Sequence, residues 1–412
     1  MNLYIKSPKR AINKKLTQLM NPEVLLLLIA FCDRSIFNFF VLAVSRTPVI
    51  GFFGGAIRPI VYGSLFLLII AKRKVTIGKQ EIGIAFFLMM TFFITFIFYP
   101  ENIPFIQERF PPIILKALLF FVLGLIVTIN KDKMNLLGEV SCLALLVNIL
   151  YLAYAMGTDS LKDDNMSIAY DVLPNVLFIL NYAFNKKKLI PWLFAALSIF
   201  FSLSLGTRGP IVIICVFVIS CLWRKSNLRT SRKIIMFIIF MIAISLFANS
   251  DLYISVLEWL ASVFKNLGMT TRTIDKLLSN EMISYVSGRD VIFKTALQKI
   301  AERPFLGYGI YGDWVWNGWN VHNIYLELLV NYGVILGPVI LIWCIFQIFK
   351  TYIKTRNSYA KDMIAVMVPF IFVRGIFGGE YLNYGLMFII GFCIKEYRRS
   401  KYYKKEMYKN NS

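Results

Sequence analysis

The chain is poor in several residue types, and each shortage excludes something. Its 412 residues include one histidine, six cysteines and only 17% charged residues, with 23 acidic residues against 45 lysines and arginines. Soluble domains carry about 25% charged residues. The shortage of charge, beside 58% hydrophobic residues, therefore excludes an ordinary soluble fold. Cys32, Cys142, Cys215, Cys221, Cys344 and Cys393 all fall inside apolar runs, so neither a disulfide framework nor a thiolate metal site is indicated. The apolar runs are solid blocks of Leu, Ile, Phe and Val rather than alternating ten-residue segments. That excludes a barrel and leaves helices to satisfy the backbone in lipid. No internal repeat is visible, which counts against a transporter built from two related halves.

What is present reads as one polytopic membrane domain over residues 1–412. The expected fold is all-α, with about 12 transmembrane helices. Apolar spans of a length that crosses a bilayer lie near 22–44, 51–70, 82–99, 111–129, 134–156, 168–184, 189–206, 210–223, 234–248, 324–349, 362–379 and 383–394. The polar segments 1–20, 71–80, 130–133, 185–188, 224–233, 350–361 and 395–412 hold about 30 of the 45 lysines and arginines. The short loops on the other side hold Arg46, Arg109, Lys162 and Arg208. The positive-inside bias then places both termini in the cytoplasm and accounts for the net charge of +22 without nucleic acid. No cleavable signal peptide is expected, because the first apolar stretch is long and lacks a small-residue cleavage site.

One connection breaks the rhythm. Residues 249–323 form a large extracytoplasmic loop between spans 9 and 10, and loops of this length are usually functional or disordered. Phe293, Ala296, Leu297 and Ile300 recur with helical spacing, so an amphipathic helix is expected there. Ser287 would cap it, and it would end before Pro304. Residues 252–264 carry a similar pattern.

Ionisable residues inside apolar runs are expensive and usually mark function. Arg58, Lys116 and Arg374 fall in the outer halves of their expected helices, as do Asp171 and Glu327. Arg34 lies beside Asp33, its expected ion-pair partner, and Glu380 is the expected partner of Arg374. The single histidine, His322, sits where the long loop re-enters the membrane, and imidazole is the side chain best suited to move a proton near neutral pH. Arg208 occupies a tight turn before Pro210, which can open a helix, and Arg289 stands in the first turn of the loop's amphipathic helix. Arginine beside free backbone N–H groups suits a phosphate or pyrophosphate. Arg303 and Arg374 are further phosphate candidates. Trp314, Trp316 and Trp319 could stack on sugar rings or anchor the interface. Asp163-Asp164 has no evident further ligand, so no metal is expected. Glu327, five residues beyond His322, is off its helical face.

The motifs Thr207-Arg208-Gly209, Ser287-Gly288-Arg289-Asp290, Glu302-Arg303-Pro304-Phe305-Leu306-Gly307-Tyr308-Gly309, His322-Asn323 with Tyr325-Leu326-Glu327, and Asn331-Tyr332-Gly333 together resemble the O-antigen ligase and Wzy-type polysaccharide polymerase superfamily. The likeness is densest over residues 190–350. It implies an inverting, metal-independent glycosyltransferase of GT-C type without cofactors, acting at the outer face of the cytoplasmic membrane. The donor and acceptor would be undecaprenyl-pyrophosphate-linked oligosaccharides, met from membrane lipid. By that resemblance Arg208 and Arg289 hold the pyrophosphate and His322 is the base. The expected function is a capsule, exopolysaccharide or O-antigen polymerase, with a chain-length regulator as a possible partner. A ligase passing finished glycan to another acceptor is the first alternative, and a lipid-linked oligosaccharide flippase or transporter is the alternative of another class.

Overall fold

The computed structural model describes residues 21–44, 63–64, 67, 78–110, 116–157, 165–205, 207–225, 251–266, 271, 275, 278 and 289–410. It is helical, with no strand among the described residues. The helices are α1 (Pro22–Val44), α2 (Lys79–Phe98), α3 (Ile103–Arg109), α4 (Lys116–Ile126), α5 (Lys131–Gly157), α6 (Asn165–Lys186), α7 (Leu189–Ser204) and α8 (Arg208–Lys225). They continue as α9 (Asp251–Asn266), α10 (Arg289–Glu302), α11 (Gly312–Asn317), α12 (Ile324–Lys354), α13 (Ser358–Val368), α14 (Arg374–Phe377) and α15 (Tyr384–Asn410). A π-helical turn, Pro369–Val373, joins α13 to α14.

Four of these helices are long and apolar enough to cross a membrane: α2, α12, and the stretches Lys131–Tyr154 of α5 and Met166–Lys186 of α6. α4 and Leu189–Leu203 of α7 are shorter apolar helices. The expected spans 51–70 and 234–248 lie wholly or mostly outside the described residues, as do Ser287, Arg46, Asp163 and Asp164; of Arg58 nothing is described either. The last expected span, 383–394, is longer than its apolar stretch implied. It continues as α15 to Asn410 because Lys395 onwards is a run of good helix formers.

The bundle is built round α6, which touches α1, α5, α7, α8 and α13. Val172, Leu173, Val176, Leu177, Phe178 and Ile179 are all buried there. In lipid, association between helices rests on close packing and on buried polar contacts. Both are visible. A Cβ built at Gly124 of α4 would lie 2.2 Å from the Phe388 carbonyl of α15, and one at Gly391 of α15 would lie 2.2 Å from the Phe121 carbonyl of α4. Only glycine allows two backbones so near. Between α1, α5 and α6 a buried network runs Asn38 to Asn148 (2.9 Å), Asn148 to Ser35 (2.8 Å) and Asn175 to Ser35 (3.3 Å).

α12 is two helices joined at Gly333, whose φ of 73° is not helical. The segment 304–309 fills the break. The amide of Tyr308 donates to the Val330 carbonyl (2.9 Å), that of Gly309 to Asn331 (3.0 Å), and that of Val334 to Pro304 (2.7 Å). A side chain at Gly333 would meet the Phe305 carbonyl at 2.3 Å. The end of α2 and the turn after it clasp the same segment. Tyr99 Oη donates to the Gly307 carbonyl (3.1 Å), and Asn102 Nδ2 to those of Tyr308 (2.7 Å) and Ile310 (3.0 Å). The two short motifs ending Gly307-Tyr308-Gly309 and Asn331-Tyr332-Gly333 are thus two halves of one clamp.

Candidate functional site

The clamp leads directly to His322. Asn323 is the N-cap of α12, its Oδ1 accepting from the amides of Tyr325 (3.0 Å) and Leu326 (3.2 Å). That cap starts the helix just after the histidine. His322 itself has φ of 56°, a left-handed conformation costing a non-glycine residue roughly 1–3 kcal/mol. Neighbours hold it there. The His322 amide donates to Asn320 Oδ1 (3.3 Å) and the Val321 amide to Asp313 Oδ2 (3.0 Å). Burial lowers the imidazole pKa below its ordinary value, and the positive charge of Arg289 lowers it further. The ring is therefore neutral at neutral pH, the form a general base requires.

A cavity of about 330 Å³ opens beside this loop, lined by Asn320, Ile324, Lys116, Arg374, Glu380 and Tyr384 among others. It lies in the usual size range of small-molecule sites, about 300–1,000 Å³. Arg374 stands at its wall, over the rings of Tyr170 (5.1 Å) and Phe370 (5.2 Å). Its Nε is buried without a hydrogen-bond partner, and so are Oε2 of Glu380 and Oγ1 of Thr207. Buried polar atoms are seldom left unmatched in a finished core; Arg374 and Glu380 line a space that a polar ligand could fill.

Arg289 and the backbone next to Arg208 lie near this cavity's flank. Arg289, opening α10, donates from Nη1 to the Phe377 carbonyl, at the end of the short helix that Arg374 begins. Gly209, next to Arg208 at the start of α8, is so close to Tyr170 and Phe377 that a Cβ there would lie 3.2 Å from the Phe377 Cβ. The backbone of Arg208, Arg289 and Arg374 are thus gathered about Phe377 and Tyr170. Arg303 stands apart: it is exposed and lies over the rings of Tyr308 (4.9 Å) and Tyr99 (5.9 Å).

The tryptophans divide. Trp314 is buried against Phe105 and Tyr311, and the Arg109 guanidinium covers its ring at 3.9 Å. No face is left for a sugar. Trp316 packs partly buried against the cluster of Ala296, Ile300 and Val321, whereas Trp319 is exposed.

Arg34 lies 3.9 Å from Asp171, and Asp33 lies 3.8 Å from Lys116, because successive residues on a helix face different ways. Glu380 accepts from Asn320 Nδ2 at 3.3 Å, and the positive charges of Arg109 and Arg374 both favour its ionised form. Burial still raises its pKa, and burial likewise raises that of Asp313. Glu327 turns away from His322, its Oε2 accepting the Tyr381 amide (2.9 Å).

Asn320, Glu380 and Lys116 are among the cavity residues that sequence reasoning did not assign to the site. The signal available for Lys116 was its position inside an apolar run; for Asn320 and Glu380 there was only proximity to His322 and Arg374.

These features define an all-helical, multi-pass membrane protein with a cation-lined cavity beside a lone histidine. Residues 193–344 match the Wzy_C family model, described as O-antigen ligase, which supports the O-antigen ligase and Wzy-type superfamily for this chain. The match runs from α7 into α12 and includes Arg208, Arg289, Arg303 and His322; Lys116, Arg374 and Glu380 lie outside it. The family points to a membrane glycosyltransferase-like enzyme acting on lipid-linked glycan. No curated protein matches the chain.

Proposed function

We propose that the chain is a polysaccharide polymerase of the cytoplasmic membrane, joining undecaprenyl-pyrophosphate-linked repeat units at its outer face, with both termini inside and residues 249–323 outside. The observation that carries this reading is the gathering of Arg289, Arg374 and the Thr207–Gly209 turn beside the His322 loop, from four separated stretches of chain.

In the proposed reaction His322 takes the proton of an acceptor sugar hydroxyl. The hydroxyl oxygen attacks the anomeric carbon of the donor sugar, and the bond from that carbon to the pyrophosphate oxygen breaks with inversion. Arg208, Arg289 and Arg374 hold the pyrophosphate, whose negative charge grows as it departs; preplaced donors of this kind are worth about 10²–10³ in rate each. Arg303 is a reserve contact further out, and Trp319 offers a ring to a sugar at the rim, with Trp316 behind it. The leaving group is already activated, so neither nucleotide nor metal is needed. A transfer of finished glycan to another acceptor is the second reading, favoured by the family description O-antigen ligase.

His322→Ala in cells, with insertion checked by protein level, tests this. The expected result is loss of long chains and accumulation of single lipid-linked units. Full-length polymer stranded on the lipid favours the ligase instead, and unchanged glycan of every kind rejects His322 as the base.

A further inference from the structure

Lys116 belongs to the same cavity as Arg374 but comes from α4, far from the family-matched segment. Its Nζ lies 4.9 Å from the Tyr384 ring centroid and 3.8 Å from Asp33 Oδ2. A hydrogen bond to an ammonium is nearer 2.7–2.9 Å, so the contact with Asp33 is loose. An ammonium has three donors, and the side chain keeps 37% of its surface accessible. Arg374, on the same wall system, presents a buried Nε with no partner. Glu380 and Asn320 line the same cavity, linked to each other at 3.3 Å. The cavity is thus polarised. A carboxylate beside Asn320 repels an anion and accepts from hydroxyls, while Lys116 and Arg374 do the reverse.

We propose that Lys116 is a further substrate-binding residue, a point-charge contact for the phosphoryl groups of the donor that acts with Arg374 and turns its sugar hydroxyls towards Asn320 and Glu380. This rests on the donor class given under Proposed function. Losing one charged contact to a buried phosphate weakens binding by about tenfold or more.

The test is titration of farnesyl pyrophosphate into the purified full-length protein in nanodiscs, followed by calorimetry, for wild type, Lys116→Gln, Lys116→Arg and Asp33→Asn. The expected pattern is wild-type binding, about tenfold or greater weakening in Lys116→Gln, recovery of most of that loss in Lys116→Arg, and binding at least as tight in Asp33→Asn. Equal affinity in wild type and Lys116→Gln overturns the inference and leaves the proposed function standing. Equal losses in Lys116→Gln and Asp33→Asn overturn it too, because only their mutual ion pair would then matter. Absence of binding by wild type removes the donor class, and this inference with it.

Discussion

The segment 304–334 and the cavity at Arg374 lie side by side, and their polar groups are met in different ways. In the first, the break at Gly333 is filled by another stretch of chain, and the backbone groups freed there find partners at Pro304, Tyr308 and Gly309. In the second, Arg374 Nε and Glu380 Oε2, on residues that line the cavity, stay unmatched, as do side-chain atoms of Asp313, Glu327 and Asn331 in the first. A satisfied irregularity adds shape, because its cost is met within the protein. An unmatched side-chain atom beside an open cavity can be met by a ligand. The difference separates Gly307, Gly309 and Gly333, which hold the clamp, from Arg374, which lies outside the family-matched segment and which we propose acts on substrate.

Substitutions can break that division. Arg374→Gln should lower glycan transfer about 10²-fold while leaving the thermal midpoint of the detergent-solubilised protein within a few degrees of wild type. A collapse of the midpoint would show the arginine to be structural. Gly333→Ala should do the opposite. Its positive φ and the 2.3 Å approach to the Phe305 carbonyl predict a loss of roughly 1–3 kcal/mol in stability, read as a lower midpoint, with activity falling only in proportion to folded protein. An unchanged midpoint would mean that the clamp yields easily.

The smallest effect is a titration. Burial and then Arg289 hold the His322 pKa below its ordinary 6.5, so the imidazole is the free base above that value and becomes protonated only further down. Wild-type transfer should be level through neutral pH and fall on an acid limb lying below 6.5. Arg289→Gln removes the second cause, so its limb should move upward while staying below 6.5, because burial remains the larger cause. An immobile limb would separate Arg289 from the histidine.

Much of the fold was legible because lipid imposes simple rules. Solid apolar runs gave helices α2, α5, α6 and α12, and the spacing of Phe293, Ala296 and Ile300 gave α10. The Pro210 signal was sound as well, since α8 opens at Arg208 with the proline in its first turn. Pairings were harder to read. Arg34 lies 3.9 Å from Asp171 on another helix, and nothing local announces such a partner. The site was half legible for the same reason. His322, Arg208 and Arg289 stand in loops and turns where a polar residue is conspicuous. Lys116 was conspicuous too, but its neighbours in the cavity come from α14 and the segment 378–384, and only folding shows that they meet. Trp314 misled because an aromatic run looks alike whether its rings are open or, as here, capped by an arginine.

The wedge between the two halves of α12 also sets an order of assembly. Its own bonds join residues near each other along the chain, so closing them costs little loop entropy. Those from Asn102 to Tyr308 and Ile310 span 206 and 208 positions. The bent hairpin that presents His322 can therefore form as the chain emerges, and the amino-terminal helices dock onto a finished part.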